Sequence, residues 1–112
     1  MQPIFITGIG TGIGKTVVAA IIAETLQADY WKPVQAGYTN GTDSEWVRQS
    51  LSNAVSEVHP EKYKLRMAAS PHIAARNEGV EIDLDKIAIQ FQSSLTQKKQ
   101  FQFSAHNKKY NN

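Results

Sequence analysis

Residues 8–16 read "GIGTGIGKT", four glycines alternating with other residues and running into Lys15-Thr16. That composition suits the holding of nucleotide phosphates. Glycines let successive backbone N–H groups turn toward phosphate oxygens with no Cβ in the way. A helix opening at Gly14–Lys15 adds N–H groups without intrahelical partners and the positive end of its dipole. Lys15 would then reach the β- and γ-phosphates, and the Thr16 hydroxyl would ligate Mg²⁺. The spacing departs by one residue from the usual G-x-x-x-x-G-K-[ST], because counting back from Gly14 puts Ile9 where the first glycine belongs. A dinucleotide-binding G-x-G-x-x-G starting at Gly8 fails as well, since Ile13 takes the third glycine's place. A chance glycine-rich turn is the other competitor, and the flanking elements argue against it.

Those elements are a buried strand before the loop and a helix after it. Pro3-Ile4-Phe5-Ile6-Thr7 is a short β-branched and aromatic run, the pattern of a parallel strand covered on both faces. From Lys15 the period turns helical: Val17, Val18, Ile21, Ile22 and Leu26 recur at three- and four-residue steps, with Ala19, Ala20 and Ala23 between them. The helix fades near Asp29. Tyr30-Trp31-Lys32-Pro33-Val34 reads as a second short strand limited by proline, and "QAGYTNGTD" (35–43) as a loop. Residues 44–58 form a weak helical pattern. Ser70-Pro71 opens a further helix that stops at Gly79, and Asp83 caps a last one carrying Leu84, Ile87, Ala88, Phe91 and Leu95 on one face. Trp31, Trp46 and Phe91 are expected in the core, and His72 is expected to pack in the first turn of its helix.

The chain has 112 residues, 41% of them apolar, and a formal net charge of +2. One small domain is the expectation. No apolar run approaches the roughly 20 residues of a membrane span, and the start lacks the marks of a secretory signal. The absence of cysteine removes disulfides and thiolate metal sites. Membrane and nucleic-acid partners are not expected, and a cytoplasmic location is. The charge is uneven. Residues 1–97 carry eight Lys and Arg against ten acids, whereas 98–112 hold Lys98, Lys99, Lys108 and Lys109 and no acid. The expected division is therefore a folded part at 1–97 and a basic, low-complexity, disordered tail at 98–112.

The extra residue in the loop is informative at this point. Thr7 to Thr16 follow T-G-x-x-T-x-x-G-K-T, with five residues between the flanking glycines, and this resembles the variant phosphate loop of the dethiobiotin synthetase family. Lys32-Pro33-Val34-Gln35-Ala36-Gly37 is similar to that family's K-P-V-x-x-G motif, and Ser70 to Ala75 with Glu78-Gly79 to its S-P-H-x-A-A…E-G segment. Together the motifs cover residues 4 to about 97. The resemblance implies an α/β, P-loop NTPase-like fold: a three-layer parallel sheet with flanking helices, here truncated after its first half. It implies ATP- and Mg²⁺-dependent carboxylation of 7,8-diaminononanoate with CO₂, then ring closure to dethiobiotin, by a homodimer in biotin biosynthesis. By the family pattern, Gly12, Ile13, Gly14, Lys15, Thr16 and Val17 contact the nucleotide. Thr16 and Asp43 bind the metal, Lys15 holds the phosphates, and Lys32 is the active-site lysine near the carbamate. On sequence alone Lys32 also fits a solvated strand-end lysine, and Asp43 a helix cap ahead of Ser44-Glu45.

Two positions depart from the family pattern. Gly12 replaces a common acid, and Ala36 replaces a substrate-contacting hydroxyl. After Gln97-Lys98-Lys99-Gln100-Phe101 the family continues into a buried strand and the adenine-binding segment. Here the sequence turns to "QFSAHNKKYNN", and the expectation is a reading frame lost near residue 101. Three alternatives stay open: a cobyric acid synthase-type amidoligase, a partitioning-type P-loop ATPase, or an inactive truncated fragment that only binds phosphate.

Overall fold

The computed structural model describes residues 3–8, 14–97 and 101–104. It is an α/β arrangement of parallel strands and flanking helices. The order is β1 (Ile4–Ile6), α1 (Lys15–Leu26), β2 (Asp29–Trp31), β3 (Val34–Ala36), α2 (Asp43–Ser50), β4 (Val58–His59), β5 (Tyr63–Leu65), α3 (Pro71–Glu78), α4 (Leu84–Gln97) and β6 (Phe101–Ser104). One sheet has the order β1-β6-β2-β4, and a second pairs β3 with β5. Every pairing is parallel. Because β1 and β2 both run parallel to β6, their carboxyl ends lie on the same edge of the sheet. The segments leading to Lys15 and Lys32 both leave from that edge.

Tyr30 and Trp31 build the core by alternation. Neighbouring residues of a strand face opposite sides, so Tyr30 joins Ala19, Ala20 and Val47 beneath α1 and α2. Trp31 joins Val34, Leu65, Ala74, Ala75 and Ile87 on the other side. The Trp31 ring stacks on Phe91 with centroids 6.3 Å apart, and its indole N–H donates to the Pro60 carbonyl.

Several elements differ from the sequence expectation. The strand expected across 30–34 divides in two. Pro33 has no N–H for a ladder, and its carbonyl instead accepts from Lys62 and Tyr63 as the chain passes to the second sheet. Gln35 and Ala36, expected in a loop, belong to β3. The weak helix expected over 44–58 ends at Ser50. The residues after it turn back to bond Glu24 of α1, whose carboxylate accepts from Ser52 and Asn53. On α1, Val17, Val18 and Ile21 are exposed while Ala19, Ala20 and Ala23 are buried. The helix is apolar nearly all round, so its pattern names no single face, and the small residues take the close contact. β1 is an edge strand, and its Ile4 and Phe5 are exposed rather than covered on both sides. Trp46 is exposed, not core.

The last two helices agree with their signals. Ser70 stands at the N-cap position of α3 without a side-chain cap hydrogen bond, Pro71 is at its first position, and Gly79 ends the helix in the left-handed region at φ 69°. The Asp83 carboxylate accepts from the N–H groups of Asp85 and Lys86 at the start of α4. Leu95 lies among residues whose side chains are outside the described set. Phe101–Ser104 fall in the stretch assigned to the tail, yet form β6, held on both sides by β1 and β2. Phe101 and Phe103 could begin an alternating strand by pattern, and pairing with both neighbours is what holds so short a one. The remaining tail, 98–100 and 105–112, lies outside the described residues.

Candidate functional site

Gly14 is the N-cap of α1, at φ 83°, and among the described residues no side-chain hydrogen bond caps the helix. Lys15, Thr16 and Val17 make the first turn, whose N–H groups have no intrahelical acceptors by helix geometry. Gly12 and Ile13 lie outside the described residues. The Lys15 ammonium is held below its ordinary pKa, chiefly by burial and next by the Lys32 ammonium, with Asp43 opposing both. The charges of Lys32 and Asp43 thus act on Lys15 in opposite senses.

Lys32 follows the last residue of β2 and is only 5% exposed. A solvated strand-end lysine does not describe it. Its ammonium pairs with the Asp43 carboxylate in a short contact. A lysine this deep in the protein requires such a partner.

Asp43 is the first residue of α2, and the capping role belongs to its neighbour. The Thr42 hydroxyl accepts from the Glu45 N–H at 3.1 Å and donates to the Glu45 carboxylate at 3.2 Å, closing a local box. Asp43 and Glu45 in the first turn and Arg48 in the last complement the dipole of α2. With Thr42 as cap, the Asp43 side chain is directed at Lys32 instead of at its own helix.

One residue that sequence reasoning passed over completes the frame. Gln35 is 5% exposed. Its side-chain oxygen accepts from the Asp43 N–H at 3.1 Å, and its amide nitrogen donates to the Gly37 carbonyl at 2.8 Å. The available signal was a polar amide inside an otherwise apolar strand. Gly37 itself is at φ 83°, and a Cβ there would meet the Ala68 backbone and side chain at 2.9 Å.

The remaining motif residues have structural roles. Glu78 of α3 accepts from the Arg66 and Met67 N–H groups at 2.7 and 3.4 Å, fixing the approach to the helix. His72 is exposed, with Nδ1 3.4 Å from the Ser70 hydroxyl. At the opposite, amino edge of the sheet, buried Asp29 takes the Glu57 N–H on one carboxylate oxygen and His59 Nε2 on the other, each at 2.9 Å. This clasp ties β2 to β4, and both oxygens already have protein donors.

The donor set of the Lys15 end suits Mg²⁺. A hydroxyl at Thr16 and a carboxylate at Asp43 are hard oxygen donors, the kind that ion takes. No described helix is long and apolar enough to cross a membrane.

Comparison with known proteins adds to this geometry. The family described as AAA domain matches residues 2–103. An ATP-dependent dethiobiotin synthetase of Cytophaga hutchinsonii is 56% identical over 89 residues, covering 80% of this chain and 43% of that protein. The enzymes of the same name from Rhodopseudomonas palustris strain TIE-1 and Brucella anthropi are 52% and 50% identical, over 72% and 75% of this chain and 38% and 40% of theirs. The chain spans less than half the length of these curated relatives. It belongs to the AAA domain family, and the relatives its sequence resembles there are ATP-dependent dethiobiotin synthetases.

Proposed function

We propose that this chain binds ATP with Mg²⁺ at the carboxyl edge of its sheet and serves the carboxylation and ring closure of 7,8-diaminononanoate to dethiobiotin. The observation that carries this is the gathering of two lysines at the carboxyl edge of the sheet: Lys15 in the first turn of α1, and Lys32, buried beside Asp43, just after β2. Cations gathered at a helix N-terminus suit a polyanion. A nucleoside triphosphate is such a polyanion, and a carbamate facing its γ-phosphate adds further negative charge.

The roles follow from position. The first turn of α1 and Lys15 hold the phosphate oxygens and neutralise their charge. Lys32, buried and held by Asp43, orients the carbamate formed when one substrate amine takes up CO₂. It also offsets the charge that gathers as the γ-phosphoryl group passes to the carbamate oxygen. The second amine then attacks the carbamoyl carbon, phosphate leaves, and the ureido ring closes with loss of a proton. Thr16 and Asp43 would hold Mg²⁺, which supplies neutralisation of the phosphate oxygens when bound. Positioning and charge do most of the work, as phosphoryl transfer requires.

Among the other nucleotide-dependent readings, a partitioning-type ATPase is disfavoured because its loop usually carries a second lysine near the start, where this chain has Gly8-Ile9-Gly10. The Lys32–Gly37 and Ser70–Ala75 segments favour diaminononanoate over the substrates of cobyric acid synthase-type amidoligases. The reading carries with it a homodimer in the cytoplasm. Calorimetry with ADP or ATP in magnesium buffer should show binding that Lys15→Ala abolishes, with ATP turnover depending on diaminononanoate. No heat of association on a folded sample would refute the phosphate site. Binding with turnover indifferent to the diamine would refute the substrate.

A further inference from the structure

On β3, Val34 and Ala36 pack toward the Trp31 core, so Gln35 between them faces the other way. It is buried there nonetheless, at 5% exposure. A buried primary amide requires partners for both of its ends, and here the partners fix its orientation. The oxygen meets the Asp43 N–H and the nitrogen meets the Gly37 carbonyl. Turned over, the amide would set donor against donor and acceptor against acceptor. Gln35 thus spans both ends of the loop between β3 and α2, and it satisfies the N–H of the first residue of that helix. That residue is Asp43, whose carboxylate takes the Lys32 ammonium.

We propose that Gln35 is a positioning residue: by clamping the Asp43 N–H against the Gly37 carbonyl, it sets where the Asp43 carboxylate stands relative to Lys32 and Lys15. It acts through Asp43 and does not touch nucleotide or substrate. The role of Asp43 toward Mg²⁺ rests on the function proposed above, whereas the clamp itself does not. Groups that orient a metal-binding carboxylate from behind affect metal affinity even though they are not ligands.

Two variants of the 112-residue chain test this. Gln35→Met keeps the length and apolar volume of the side chain and offers neither bond. Gln35→Glu keeps an acceptor for the Asp43 N–H and loses the donor to Gly37. The first measurement needs no ligand: amide hydrogen exchange at Asp43, read by NMR. Protection should fall in Gln35→Met and largely persist in Gln35→Glu. The second is ADP affinity by calorimetry, in Mg²⁺ and in EDTA. Gln35→Met should weaken the Mg²⁺-supported affinity by about ten- to a hundredfold and leave the EDTA affinity unchanged, with Gln35→Glu recovering part of the loss. Wild-type protection at Asp43 in Gln35→Met overturns the proposal. So does an equal loss with and without Mg²⁺, which marks general damage. Should the wild-type chain bind no ADP, the proposed function fails while hydrogen exchange still decides the clamp. Should Gln35→Met not fold by circular dichroism, exchange at Asp43 in Gln35→Glu decides it: persistence supports the clamp, and loss overturns it.

Discussion

The pair of Lys32 and Asp43 predicts an asymmetry between its two deletions. The lysine side chain is 6% exposed and the aspartate 34%, so removing either charge strands a partner in a different environment. Asp43→Asn keeps the shape and the N–H to Gln35, but it leaves the Lys32 ammonium buried without its carboxylate. Unit charges about 4 Å apart attract by about 4 kcal/mol at an effective dielectric near 20. Breaking a fully buried pair costs about 3–5 kcal/mol. Because a third of Asp43 meets solvent, the expected loss is discounted to about 2 kcal/mol. Lys32→Met removes the buried charge, keeps an apolar stem in its place, and leaves a carboxylate that water can reach. Its cost should stay within about 1 kcal/mol.

Urea unfolding followed by circular dichroism measures both changes on one scale. For a domain of this size a loss of about 2 kcal/mol corresponds to a fall in Tm of roughly 10 °C, since each kcal/mol moves Tm by about 4–8 °C. The double variant should be more stable than Asp43→Asn alone, because it removes the stranded cation. The reasoning is refuted if Lys32→Met destabilises as much as Asp43→Asn, or if the double variant shows the simple sum of the two losses. Either result would mean that the lysine stem or the aspartate backbone, and not the charge, is what the fold depends on.

Glu24 gives a pH prediction. The Ser52 hydroxyl, then the Ser52 N–H and the Asn53 side chain, hold its carboxyl down at about 2 against an ordinary 4.5. A depressed carboxyl favours the folded state above the ordinary value and loses that contribution as pH falls from 4.5 toward 2. Glu24→Gln should therefore flatten the acid limb of Tm against pH in that window, and an unchanged slope would count against the bonding pattern. Gly37→Ala should destabilise by about 2–4 kcal/mol in urea, combining left-handed strain with the clash at Ala68. Gly79→Ala, also left-handed but with nothing within 4 Å of the added Cβ, should cost only about 1 kcal/mol. Equal losses at the two glycines would show that the Ala68 contact relaxes freely.

What the sequence announced and what it hid divide along a physical line. Ser70-Pro71 and Gly79 marked the ends of α3 because capping and φ preference are properties of a few adjacent residues, independent of the rest of the fold. Lys15 and Thr16 stood out for the same reason, on a local glycine-rich frame. The buried face of α1 did not, since Val17, Val18 and Ile21 offer as much apolar surface as the face that Ala19, Ala20 and Ala23 bury. The end of α2 was equally hidden. Nothing local forbids helix beyond Ser50, and it is the distant carboxylate of Glu24 that draws Ser52 and Asn53 away. Gln35 carries only a weak local mark, a polar amide between the apolar Val34 and Ala36. Its importance arises only when β3 and α2 have been placed, eight residues apart in sequence and within one hydrogen bond in space.

The break at Pro33 explains why the site forms where it does. β2 belongs to one sheet and β3 to the other, and the two residues between them are Lys32 and Pro33. Proline ends the ladder, so the chain must leave the first sheet there. The residue before it is then held at the sheet's carboxyl edge, on the side from which the segment leading to α1 also departs. In open parallel sheets ligands bind outside the carboxyl ends of the strands, where successive connections part. A lysine fixed at such a place is buried where the strands diverge. Its charge then demands an anion, and the protein supplies Asp43 from the first turn of the next helix, set there by an amide on the strand just after the proline. The backbone topology thus decides the placement of Lys32, Gln35 and Asp43 together. A substitution at Pro33 that lets β2 run on should disperse all three, even though none of their own side chains has changed.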